Sequence, residues 1–178
     1  MKYFLTVLIM AGFVLPAAAE TAEWKTFTSE AGSFSVLMPG TPTFSDTTDH
    51  TVVGDVGENL FSLDVKEGSF SAEYSDLPRV AVIFDSAKSI YKDAKEGLLK
   101  ETGASEKKYY IFIHDGMKGR ELEYEVPAGG ESEARTGKAR FLLKDKRLYV
   151  LVGTVPKKDG DEKLIDRFLD SFKLLKKK

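Results

Sequence analysis

Over much of its length the chain alternates between apolar and polar residues with a period of two, the signature of half-buried β-strands. The first such run is Trp24 to Ser29. After a turn at Ala31-Gly32, the stretch "FSVLMPGTPTF" sets Phe34, Val36 and Met38 on one face and Ser33 and Ser35 on the other. Pro39 donates no ladder hydrogen bond, and Pro39-Gly40 suits the centre of a type II turn with Gly40 at positive φ. With Pro42 keeping the exit extended, the break predicts a corner that redirects the chain into another strand, from about Phe44 to Val53. "VVGDVGENLFSLDV" predicts a hairpin with turn chemistry at Gly54, Asp55, Gly57 and Asn59, and Phe61, Leu63 and Val65 lining the return strand. Phe70, Ala72 and Tyr74 continue the meander.

At "YSDLPRVAVIFDSAKSIYKDAKEGLLKETG" the period becomes helical. Ala87, Ile90, Tyr91, Ala94 and Leu98 fall on one face, with Asp85 or Ser86 placed to cap the start and Gly103 to end it. Four more strand-like runs follow: Lys108 to His114, Gly119 to Val126, Gly137 to Leu143 and Leu148 to Val155. "KDKR" (144–147) is the turn between the last two, and "PAGGESEARTG" is a polar hairpin loop. In "DGDEKLIDRFLDSF" a second amphipathic helix points Leu164, Ile165, Phe168, Leu169 and Phe172 inward, and Asp159 with Glu162 resembles a capping box. Runs of strands with one central and one terminal helix predict an α+β fold, a central antiparallel β-sheet flanked by two main helices.

The amino terminus departs from these patterns. Lys2, the apolar run Phe4 to Leu15, the breaker Pro16 and the small residues Ala17, Ala18 and Ala19 have the layout of a secretory signal peptide, with Ala17 and Ala19 meeting the peptidase. The run is too short for a membrane span. Cleavage of residues 1–19 is expected to leave residues 20–178 as one exported α+β domain with a short basic tail, periplasmic or extracellular. The chain has no cysteine, which removes disulfides and thiolate chemistry and leaves stability to an ordinary core. Its 26 Lys and Arg against 28 Asp and Glu lack the basic excess of a nucleic-acid binder.

The order of signals resembles a group of uncharacterised exported bacterial proteins: a Trp near the mature start, "FSVLMPGTP", "YSDLP" before the long helix, "GREL", "ARFLLKDKRLYVLVG" and the closing "FLDSFKL". The element order is similar to the Mog1/PsbP-like fold. That class is known mostly for binding or assembly modules, among them a Ran-binding nuclear transport factor and an extrinsic subunit of a photosynthetic oxygen-evolving centre. The resemblance therefore implies a non-catalytic accessory module with an unknown protein or small-ligand partner in the envelope. It rests on framework residues and carries over no functional residue and no cofactor.

Chemistry read from the residues themselves is sparse. Asp46, Asp49 and His50 in "DTTDH" offer ligands to a divalent metal, although nothing completes the set and on a strand or hairpin arm a solvated face is the commoner account of such residues. His114 and Asp115 precede Gly116 at a strand end, where a turn is the simpler account than a tuned base, since adjacent strand residues point to opposite faces. Asp159 and Asp161 in "KDGDEK" lack the rest of a calcium loop. Neither a G-x-S-x-G elbow nor a phosphate-cradling glycine loop occurs; a small periplasmic hydrolase with a histidine base stands as an alternative because catalytic groups assemble from distant positions. Two features suit partners: Tyr74, Asp76 and Arg79 in "YSDLPRV", with a turn bonded by Asp76 as the plainer reading, and the tail "KLLKKK". The lysines 173 and 176–178 would give peripheral contact with anionic headgroups, against the alternative of a frayed, solvated end.

Overall fold

In a computed structural model, residues 23–51, 54–79, 82, 86–130 and 132–176 are described. The expected signal peptide, with Ala17 and Ala19, lies outside them, as do Asp85, Lys177 and Lys178. Among these residues ten strands and two full helices follow in the order β1 (Lys25–Ser29), β2 (Phe34–Met38), β3 (Thr43–Thr51), β4 (Gly54–Val65), β5 (Gly68–Asp76), α1 (Ala87–Thr102), β6 (Ser105–His114), β7 (Met117–Val126), β8 (Arg135–Lys144), β9 (Arg147–Pro156), α2 (Glu162–Asp170) and β10 (Lys173–Leu174).

Seven strands form one antiparallel sheet in the order β3-β4-β5-β9-β8-β7-β6, and three form a second, β1-β2-β10. The corner at Pro39-Gly40 carries the chain from the small sheet into the large one. Gly40 does take a positive φ, but at 152° it lies far beyond the value of about 80° that a type II turn needs. The first hairpin of the large sheet also differs from expectation. Gly54, Asp55, Gly57 and Asn59 are ladder residues of β4, opposite Thr51, His50, Thr48 and Asp46.

Central strand β9 shows why its sequence reads as an almost continuous apolar run: both of its faces are covered. Leu148, Val150 and Val152 join Leu122, Tyr124, Ala139 and Phe141 beneath Ile90, Tyr91, Ala94 and Leu98 of α1. Tyr149, Leu151 and Val155 face the other way, where Phe70, Ala72 and Leu142 meet Ile165, Phe168 and Leu169 of α2 and Phe34, Val36 and Met38 of β2. The two helices thus lie on opposite faces of the large sheet.

The ends of the helices are set locally. The Ser86 hydroxyl accepts from the Ser89 amide, and Gly103 at φ 62° ends α1 with its amide directed at the last-turn carbonyls. The cap of α2 is Asp161, which accepts from the Lys163 amide, and not Asp159. The carboxyl-terminal segment is an edge strand rather than a loose end. Lys173 and Leu174 pair with Ser35 and Phe34 of β2, and the Leu175 amide donates to the Ser33 carbonyl at 2.9 Å. Among the described residues no helix is long and apolar enough to cross a membrane.

Candidate functional site

Tyr74 and Asp76 close β5, and the register sets Asp76 opposite Arg147 at the start of β9. The Asp76 carboxylate, expected to bond its own turn, instead receives two hydrogen bonds from Arg147: Nε to Oδ1 at 3.0 Å and Nη2 to Oδ2 at 2.5 Å. This pairing holds the Asp76 carboxyl below its ordinary range. The same guanidinium lies 4.7 Å from the centre of the Tyr74 ring and donates Nη1 to the Ala31 carbonyl at 2.7 Å. Beside it the Tyr149 hydroxyl donates to the Gly32 carbonyl at 2.9 Å. Gly32 is required there, because a Cβ would lie 2.8 Å from the Tyr74 ring. Arg147, which sequence reading passed over, therefore joins Tyr74 and Asp76 and docks the β1–β2 turn. Arg79 stands exposed beyond them.

The candidate metal ligands lie along β3, an edge of the large sheet. Nδ1 of His50 is 2.7 Å from Oδ1 of Asp55, with both side chains mostly in solvent. Asp46 sits opposite Asn59, four residues and roughly 13 Å up the strand from His50. The side chain of Asp49 lies outside the described residues. Among those that are described, no three His, Asp or Glu side chains are grouped to hold a metal ion.

His114 belongs to the opposite edge. Its Nε2 donates to the Phe172 carbonyl at 2.6 Å, which ties β6 to the end of α2. Asp115 and Gly116 take φ of 46° and 79° in the two-residue turn joining β6 to β7. With six strand spacings between β3 and β6, the two histidines are separated by roughly 29 Å and form no common site. A depression lined by Ser45, Asp46, Thr47, Glu58, Leu60 and Glu73 has a volume of about 10 Å³, room for about one water. Its floor holds two buried carboxylates, and Ser75 donates to Glu73 Oε1 at 3.2 Å.

An ionic seam, buried at Arg140 and Glu121 and exposed at its α2 end, runs from β6 to α2. Arg140 of β8 donates Nε to Glu121 Oε2 at 2.5 Å and pairs Nη2 with Asp170 Oδ1 at 2.7 Å. The Phe112 ring lies 4.0 Å beneath the guanidinium, and the Tyr110 hydroxyl donates to the other oxygen of Glu121. Burial and the bond to Glu121 push the Tyr110 phenol well above its ordinary value. One turn back on α2, Asp166 receives Lys138 Nζ at 2.6 Å. Alternate residues of β8 thus hold carboxylates four apart on α2, which docks the helix.

Among the described residues no strand lies on the outer side of β6. It ends the seven-stranded sheet, and of the four exposed large apolar side chains among those residues, Tyr110 (39%), Ile111 (54%) and Ile113 (68%) all lie on it, with Phe44 (56%) on β3. Sequence reading identified the strand but not its place at an edge, because "KKYYIFIH" looks like a core strand until the strand order is known.

No protein-family profile matches the sequence, and no curated protein matches it either. Among solved structures, the solution structure of cyanobacterial PsbP (CyanoP) from Synechocystis sp. PCC 6803 aligns with a TM-score of 0.58 at 16% identity, over 90% of this chain and 98% of that one. A protein of unknown function from Pseudomonas aeruginosa, described as a putative regulator, aligns with a TM-score of 0.39 at 15% identity, over 64% and 85% of the two chains. A structure from Bacteroides thetaiotaomicron gives 0.45 at 19% identity, over 86% of this chain and 49% of that one. At such identities the likeness is one of fold, and only the first is close enough to argue from. The shared sheet and paired helices, matched over nearly the whole of both chains, identify the architecture as PsbP-like.

Proposed function

We propose that the protein is an exported, non-catalytic binding or accessory module, with residues 20–178 acting as one domain after removal of residues 1–19. The observation that carries this reading is the outer edge of β6, where a strand paired only on its β7 side exposes Ile111 and Ile113. Exposed apolar edges are retained where a partner covers them, and are otherwise blunted with charge, proline or bulges. The amino-terminal pattern supports export, and two of the polar side chains singled out above serve the framework, Asp76 through Arg147 and His114 through the Phe172 carbonyl.

The test is a photo-reactive residue at position 113 in cells, combined with sequencing of the mature amino terminus. The expected result is a chain that begins at Glu20 in the envelope fraction and a discrete covalent adduct from position 113 that is absent from a probe at Lys88. An uncleaved cytoplasmic chain would refute export. A hydrolytic activity lost in His50→Ala or His114→Ala would refute the non-catalytic reading.

A further inference from the structure

We propose that β6 pairs antiparallel with β6 of a second copy, across a two-fold axis at Ile111. This deepens the reading of β6 as the docking edge and rests on it. The geometry starts at the β6–β7 turn. His114 and Met117 flank a two-residue loop, so they form a hydrogen-bonded pair, and bonded pairs then alternate back along the strand. The amides and carbonyls of His114, Phe112 and Tyr110 are used by β7, while those of Tyr109, Ile111 and Ile113 point outward at the open edge.

A two-fold axis perpendicular to the sheet requires residues of equal parity to face one another. With Ile111 opposite itself, Tyr109 meets Ile113 of the second copy and Ile113 meets Tyr109. All three are residues with outward backbone groups, and their side chains share one face. On the other face Tyr110 meets Phe112. Moving the axis by one residue toward the amino terminus sets Lys107 against Ile113, and moving it toward the carboxyl terminus sets Tyr109 against Asp115. The axis at Ile111 alone keeps the stripe apolar and brings the Lys107–Lys108 end of each strand beside the Asp115 turn of the other.

The contrast between the two edges supports a second copy over chance exposure. On β3 the sequence "TFSDTTDHT" carries the polar residues that discourage pairing. On β6 the only irregularity is at Glu106–Lys108, outside the stretch that would pair, and "YYIFIH" has neither charge nor proline to block it. One strand with its flanking side chains lies at the small end of interface sizes, so the dimer is expected to be reversible and concentration-dependent.

The chain has no cysteine, which makes the register directly testable. Residues facing each other in a hydrogen-bonded pair have Cα atoms about 5.5 Å apart, within the range a disulfide spans. Ile111→Cys is expected to give a covalent dimer on mild oxidation, with Phe44→Cys on the polar edge giving none. Adding Ile113→Lys to Ile111→Cys is expected to abolish that dimer, and Ile113→Lys alone to weaken self-association at least about tenfold in sedimentation velocity. Both positions are exposed, and circular dichroism verifies that each variant folds. A chain monomeric into the submillimolar range, with no more disulfide from Ile111→Cys than from Phe44→Cys, would overturn the pairing. A foreign adduct from position 113 on such a monomeric chain would do so while leaving the binding-module reading intact. A dimer that Ile111→Cys traps and Ile113→Lys weakens would confirm the pairing, and a dimer indifferent to both variants would overturn it.

Discussion

Arg147 and Asp76 face each other across β9 and β5 in a two-point charged pair, and Arg147 uses its remaining nitrogen to hold the Ala31 carbonyl. One side chain therefore links two strands of the large sheet to the turn of the small one. Replacing Arg147 with Ala is expected to destabilise the protein by about 1–2 kcal/mol, a value tempered by the partial exposure of Asp76. Replacement by Lys should recover less than half of this, because an ammonium cannot present the planar fork. Denaturant unfolding of the three proteins measures both differences.

The same pair makes stability depend on pH. The carboxyl of Asp76 is lowered in the folded state from an ordinary value of 3.8, first through the hydrogen bond with Arg147. A depressed carboxyl contributes stability that is present above the unfolded value and lost as pH falls through the folded one. The wild-type advantage over Asp76→Asn should thus be full at pH 6 and shrink below about pH 4. Thermal melts of both proteins over that range would show parallel curves if the pair contributed nothing.

Where α2 crosses β9, the strand has a glycine. A Cβ at Gly153 would lie 2.8 Å from Cγ2 of Ile165, a residue fully buried in the core. Gly153→Ala should therefore force α2 outward and cost about 1–3 kcal/mol, even though alanine favours a strand over glycine elsewhere. An unchanged midpoint in urea would show that the helix shifts without penalty.

Tyr91 of α1 joins two strands, donating its hydroxyl to the Lys118 carbonyl at 3.1 Å and accepting from the Leu143 amide at 3.0 Å. Tyr91→Phe leaves that amide without its side-chain acceptor, and the expected loss is about 1–2 kcal/mol. Amide exchange at Leu143 should accelerate more than at neighbouring core positions, which would distinguish a local effect from general loosening.

Five tyrosines should resist alkaline ionisation. Burial pushes Tyr109 up to about 12 and also raises Tyr91, Tyr110, Tyr124 and Tyr149. Each contributes stability that is full below the unfolded value of 10.0 and is lost as pH rises through the folded one. The absorbance of tyrosinate is therefore expected to appear in two stages, the second coinciding with unfolding. Single-stage titration near pH 10 of Tyr91, Tyr109, Tyr110, Tyr124 and Tyr149 in a folded protein would contradict this burial.

Much of the secondary structure was determined by the sequence itself. Alternation placed Phe34, Val36 and Met38 on the buried face of β2, and the helical period with Ser86 and Gly103 bounded α1, because face and cap depend on neighbours a few residues away. The spacing of Asp159 and Glu162 suits a capping box, but Asp161, two residues on, occupies the non-helical position that precedes the first turn. Relationships between distant segments were decided by tertiary structure alone. That β10 completes a separate sheet with β2, that Arg147 answers Asp76 from 71 residues away, that Arg140 gathers Glu121 and Asp170, and that β6 ends the large sheet all follow from strand order. Periodicity states which face of a strand is buried. It carries no information on which strand lies beside it, since that is chosen by how all the buried faces close on one core.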